Sequence, residues 1–198
     1  MDIAAYILLG VALTALGVFF ARRLIGFTAQ TPEDYAGLGP EFDIRQHLNG
    51  PLLCEGVIYG PTGRVTSRFT ADFEASWDGN KGTMAEDFAY DSGAVQKREW
   101  RLTIGDGGRI IAEADDVVGQ GEGSQTGASV LLRYNIRLPE ESGGHVLSAT
   151  DWMYLVGDGV IINRSQFRKF GIKVAELVAT IRPNPAMQVT EDDRRDAA

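Results

Sequence analysis

Residues 64–77 read RVTSRFTADFEASW, and their side chains sort by parity. Val65, Phe69, Ala71, Phe73, Ala75 and Trp77 share one face, while Arg64, Thr66, Arg68, Thr70, Asp72 and Glu74 share the other. Such alternation belongs to a β-strand with one face buried and the other in water. Residues 129–138 repeat it: Val130, Leu132, Tyr134, Ile136 and Leu138 point one way, Arg133, Asn135 and Arg137 the other.

The same period runs, with interruptions, from Leu52 to Arg182. It predicts strands over 52–60, 64–77, 82–91, 95–104, 109–119, 129–138, 145–156, 159–168 and 170–182. The connectors are short, among them Pro61-Thr62-Gly63, Asp78-Gly79-Asn80, Asp91-Ser92-Gly93 and Gly157-Asp158-Gly159. Short connectors join antiparallel neighbours. A series of such hairpins is an up-and-down meander, and closing it removes the exposed edges. The expected fold is all-β, an antiparallel barrel of the lipocalin (calycin) type spanning 42–182. An open sheet or sandwich is the alternative. The glycine-rich stretch 119–127 (GQGEGSQTG) has neither G-x-G-x-x-G nor GK[ST] spacing. It reads as a flexible rim loop rather than a phosphate cradle.

Three inward positions break the apolar rule. Glu86 shares a face with Met84, Phe88 and Tyr90; Arg98 shares one with Trp100, Leu102 and Ile104; Asp116 shares one with Ile110, Ala112, Ala114 and Val118. A tight turn at 91–94 sets Glu86 opposite or diagonal to Arg98, within cross-strand reach. Buried ions need partners, because desolvation costs several kcal/mol per ion. Three readings follow. One is a structural salt bridge plugging the barrel. A second is a polar clamp in an apolar cavity, with Arg98 on an anionic head group, Glu86 holding Arg98, and Trp77, Tyr90, Trp100, Tyr134 and Asp116 completing the walls. The third is an acid–base pair of Glu86 and Asp116, with no nucleophile beside them to name a reaction. No catalytic residue, metal ligand set or cofactor site is read from the sequence.

The C-terminal third has mixed parity. Asp151 and Trp152, then Asn163 and Arg164, fall on adjacent strands around Gly157-Asp158-Gly159, so an Asp151–Arg164 ion pair and a structural or partner-contact cluster are expected there.

Ahead of the strands, Ile3 to Ala21 is an unbroken apolar run followed by Arg22-Arg23. It is long enough for a helix to cross the roughly 30 Å hydrocarbon layer. The Met1-Asp2 start lacks the basic n-region of a signal peptide, which favours a retained single-pass anchor over residues 1–27. Residues 28–41 (TAQTPEDYAGLGPE) read as a polar linker, 42–48 as a short helix at one end of the barrel, and 183–198 as a disordered acidic tail. The two arginines favour a cytoplasmic domain by the positive-inside rule.

Composition removes several classes. A net charge of −8 argues against a nucleic-acid partner. The single cysteine, Cys54, excludes an internal disulfide and a cysteine-cluster metal site. His47 and His145 lack ligand spacing.

Arg68-Phe69, Glu86-Asp87-Phe88-Ala89-Tyr90, Arg98-Glu99-Trp100 and Asp116-Val117-Val118-Gly119 resemble a bacterial family, the domain of unknown function 3833. So do Asp151-Trp152-Met153-Tyr154-Leu155, Asn163-Arg164-Ser165 and Lys169-Phe170-Gly171. The resemblance covers roughly residues 42–182. It implies an envelope-associated lipocalin-like barrel, in a setting similar to fatty-acid modification. It also implies lipoprotein-like relatives, whereas no lipid-attachment cysteine follows the apolar run here. That pull toward the periplasm opposes the arginine bias, and both sides stay open. Three functional expectations follow: a barrel taking a fatty acyl chain or other hydrophobic ligand from membrane lipid, a filled scaffold docking a lipid-modifying enzyme, and a lipid-acting enzyme.

Overall fold

A computed structural model describes residues 3–184. Ten strands close into one antiparallel barrel in which each strand pairs with its sequence neighbours and the last pairs with the first. They are β1 (Gly50–Tyr59), β2 (Val65–Asp78), β3 (Lys81–Tyr90), β4 (Val95–Ile104), β5 (Arg109–Glu113), β6 (Gly121–Thr126), β7 (Ser129–Arg137), β8 (Val146–Leu155), β9 (Ile161–Lys169) and β10 (Ile172–Pro183). The parity of residues 64–77 holds in its middle, where Phe69, Ala71, Phe73 and Ala75 are buried and Arg68, Thr70, Asp72 and Glu74 are exposed; Val65, expected inward, is exposed at the rim, and Trp77 is half-buried.

The strand count differs from expectation by one. Residues 109–119 do not form one strand; β5 stops at Glu113, and Asp116 to Val118 fold against β7 through a Val117–Ile136 bridge. The stretch read as a loop is β6, hydrogen-bonded between β5 and β7. Its glycines stand where inward side chains would be. A Cβ on Gly123 would lie 2.0 Å from the Leu131 carbonyl oxygen, and one on Gly121 would lie 3.1 Å from Tyr134 Cβ.

One end of the barrel is plugged. The short helix α2 (Ile44–His47) is capped by Asp43, whose side chain accepts from the Arg45 amide. Phe42, Ile44 and Leu48 are buried around it, and Trp77 Nε1 donates to the Leu48 carbonyl at 2.8 Å. The rim at the other end is built from 60–64, 91–94, 114–120, 138–145 and 170–171.

Within helix α1 (Ile3–Leu24), the segment Ile3–Ala21 has no buried residue and is long and apolar enough to cross a membrane. Residues 28–41, expected as a linker, instead lie against the barrel. Two 3₁₀ turns, Phe27–Ala29 and Pro32–Tyr35, cover the outer face of β7 and β8, and Phe42 donates to the Gly127 carbonyl at 2.8 Å. Of the expected acidic tail, Pro183 ends β10, Asn184 donates to Pro51 at 2.9 Å, and the remainder lies outside the described residues.

Candidate functional site

Above the plug the barrel encloses a cavity of about 110 Å³. Its walls are largely apolar, and it reaches the half-exposed Phe88, Ile136, Phe167 and Leu177 at the rim end. Polar side chains enter at mid-height: Glu86 from β3, Arg98 from β4, Tyr134 from β7, Asp151 from β8, and Asn163 and Ser165 from β9. Apolar walls with a few fixed polar groups are the usual design of a small-molecule pocket.

Register places Glu86 directly opposite Arg98. The tight partner of Arg98 is nevertheless Asp116: Arg98 Nε lies 3.0 Å from Asp116 Oδ2, against 3.9 Å from Arg98 Nη1 to Glu86 Oε2. The break after β5 delivers Asp116 to that position. The guanidinium lies over the Trp100 ring at 4.1 Å, and Trp100 meets Tyr134 edge-on at 5.1 Å. Arg98 Nη2 and Glu86 Oε2 are both buried and find no hydrogen-bond partner among the described residues.

Burial pushes the Glu86 carboxyl up to about 7; Arg98 draws it down, the Asp151 and Asp116 charges push it further up, and the Trp100 side chain draws it down. Burial also raises the Asp151 carboxyl, against Ser165, Asn163 and Arg98. Ser165 Oγ donates to Asp151 Oδ1 at 2.8 Å, and Asn163 Nδ2 donates to the same oxygen. The cavity thus faces one guanidinium and two carboxyls that resist ionisation.

Of the residues expected to bind ligand, Glu86, Arg98, Trp100 and Tyr134 line the cavity. Three others stand elsewhere. Asp116 sits behind Arg98 as its counter-ion. Tyr90 stacks on Phe88 toward the rim and donates to Gln96 Oε1 at 3.0 Å. Trp77 belongs to the plug, because its indole N–H reaches α2 rather than the cavity.

The expected Asp151–Arg164 pair does not form. Trp152 is the residue opposite Arg164 and Ser165 the one opposite Asp151, so Asp151 and Arg164 project from opposite faces. Arg164 instead pairs with Glu176 at 2.6 Å on the outer wall. Asp151 and Asn163, expected in a structural or partner-contact cluster, and Ser165, not singled out in the sequence, also line the cavity. The parity of Leu147, Ala149, Met153 and Leu155, all buried, carries the signal that Asp151 faces inward.

Trp152 faces outward yet is only 1% exposed. Its cover is the chain's own N-terminal segment: Phe27 and Tyr35 pack with it beside Leu131 of β7 and Tyr154 of β8, and Arg164 lies 5.0 Å over the Phe27 ring. The hydroxyls of Tyr35 and Tyr154 both donate to Gln30 Oε1. The cluster expected at Trp152 and Arg164 therefore fastens the segment after α1 to the wall.

A plugged, closed meander with a mid-height polar belt defines a lipocalin-like barrel. The solved S-type phycobiliprotein lyase CPES from Guillardia theta shares the fold, with TM-score 0.54 and 8% identity, over 78% of this chain and 98% of that one. The chain belongs to the family described as Protein of unknown function (DUF3833), which matches residues 21–183. The ywiB protein from Bacillus subtilis aligns at 15% identity over 68% of this chain and 90% of its own, with TM-score 0.29. No curated protein matches the chain.

Proposed function

We propose that this protein binds a small, mainly apolar guest carrying one polar group, drawn from the bilayer in which α1 anchors it. The observation that carries the reading is two buried atoms without a hydrogen bond, Arg98 Nη2 and Glu86 Oε2, in an otherwise greasy cavity. An orphaned buried donor or acceptor costs about 1–3 kcal/mol, which a matching guest group recovers. A carboxyl suits both: one oxygen accepts from Arg98, and the other accepts from protonated Glu86.

Size limits the guest. A void of about 110 Å³ is smaller than the roughly 300–1,000 Å³ of drug-sized pockets and nearer to the ~150 Å³ that accommodates benzene. A short acyl chain, or the end of a longer one, fits. Tethering beside the bilayer raises the effective concentration of such a guest. The lyase likeness supports the barrel and says nothing of the ligand. The small void also supports a second reading, a filled scaffold docking a lipid-modifying enzyme.

Native mass spectrometry of the full chain released from lipid nanodiscs separates the two. The binding reading expects a co-purified guest that is lost in Arg98→Ala. A guest-free spectrum together with a stably bound protein partner overturns it and supports the scaffold. A C-terminal reporter fusion reads out the side of the membrane on which the barrel stands.

A further inference from the structure

The tip between β9 and β10 is Phe170-Gly171, with φ of 52° and 77°. A two-residue hairpin with both central φ positive is a type I′ turn, whose first position favours Asn, Asp or Gly. A bulky residue at positive φ is an outlier, and such strain collects at functional positions. Here it holds out an aromatic ring that is 92% exposed. Ile172 is 69% exposed and Val146, on the neighbouring strand, 40%.

Charge around the rim is lopsided. Residues 168–173 at the tip hold three basic residues, Arg168, Lys169 and Lys173, and no acid; Lys173 pairs with Glu176 further along β10. The Lys169 ammonium lies 5.8 Å from the Phe170 ring centre. On the β5–β6 side, residues 113–122 hold four acids and no base, and three of the acids are paired with Arg98, Arg101 and Arg109.

Tether length decides which side meets lipid. α1 ends at Leu24 and Phe27 is already docked on the wall. Three residue steps span at most about 11 Å. The outer face of β7–β9 is therefore held close to the membrane end of α1. Phe170 lies six residues beyond Arg164 along β9, roughly 20 Å at strand rise.

We propose that the β9–β10 tip seats in the headgroup layer of an anionic bilayer, with Phe170 among the upper acyl chains and Lys169 on lipid phosphates. Exposed apolar side chains ringed by bases are the chemistry of interfacial binding. The proposal rests on α1 being a retained anchor. It adds that the rim bordering the cavity also touches the membrane, so that guest and lipid meet at one place.

The test uses the full chain in vesicles of phosphatidylethanolamine and phosphatidylglycerol, with Ile172→Cys or, as reference, Ser92→Cys labelled by an environment-sensitive fluorophore. Cys54 is buried and its thiol pushed up by burial, so it stays unlabelled. Nitroxide lipids should quench the probe at 172 at least three-fold more than at 92. Phe170→Asn should cut that quenching at least two-fold without lowering Tm, and Lys169→Glu should cut it in anionic vesicles but not in phosphatidylcholine. Equal quenching at 172 and 92 on vesicles that carry the chain overturns the rim contact and leaves the anchor standing. A chain that does not float with vesicles overturns both.

Discussion

The Arg98 guanidinium stops 3.9 Å short of the Glu86 carboxylate. The two lie directly opposite on β4 and β3, yet Asp116 takes the close contact. Glu86 is left buried beside a cation that it does not fully engage, and its raised carboxyl follows from that geometry.

Glu86 makes stability fall as pH rises. Unfolded, it titrates at the ordinary carboxyl value of 4.5; folded, at about 7. Between these the folded state holds the extra proton, so its contribution is complete below about 4.5 and lost on passing through about 7. The full swing is about 3 kcal/mol. Glu86→Gln, compared with wild type by urea unfolding from pH 4.5 to 8, should gain relative stability as pH rises. A pH-independent difference defeats this account.

Guest binding should follow the same proton. If a carboxylate is held by Arg98 and protonated Glu86, affinity falls as pH passes through about 7. Titration of a short-chain fatty acid at pH 6 and pH 8 should show at least several-fold weaker binding at the higher pH, and Glu86→Gln should flatten the profile.

Above about pH 7, Arg98→Met should destabilise by several kcal/mol, because Glu86 and Asp116 lose the cation between them and Glu86 must take up a proton to stay buried. The double variant Arg98→Met, Glu86→Met should recover much of that loss. Thermal unfolding of the two variants is the measurement; a double variant no better than the single one refutes the idea that the stranded Glu86 causes the loss.

Gly123→Ala should destabilise by at least about 1–3 kcal/mol through overpacking, because the new Cβ would fall 2.0 Å from the Leu131 carbonyl. Hydrogen exchange should localise the effect to the β6–β7 pairing.

Phe27→Ala should release the segment that covers Trp152. Limited proteolysis should then cut between residues 28 and 41 faster, while the circular dichroism of the barrel is retained. Unchanged cleavage would show that Tyr35 and Gln30 suffice to hold it.

The barrel was legible because β2 and β7 alternate without a break and their connectors are short. β6 was not, since parity counts apolar side chains and Gly121 and Gly123 supply none. Glycine at every second position, with Gln120, Glu122 and Ser124 between, is itself a period-two signal once glycine counts as inward. Glu86 and Arg98 were legible as charges on apolar faces. Asp116 was readable as inward but not as the chief partner of Arg98, because the break after Glu113 moves it. Asp151 was obscured because Trp152, beside it in sequence, is also buried, under a segment more than a hundred residues away in the chain.

Helix α2 and Trp77 seal one end of the barrel, which makes the interior a cul-de-sac. On the binding proposal, a guest would arrive and depart by the same doorway, each leaving before the next is admitted, and turnover would be paced by how fast that opening empties.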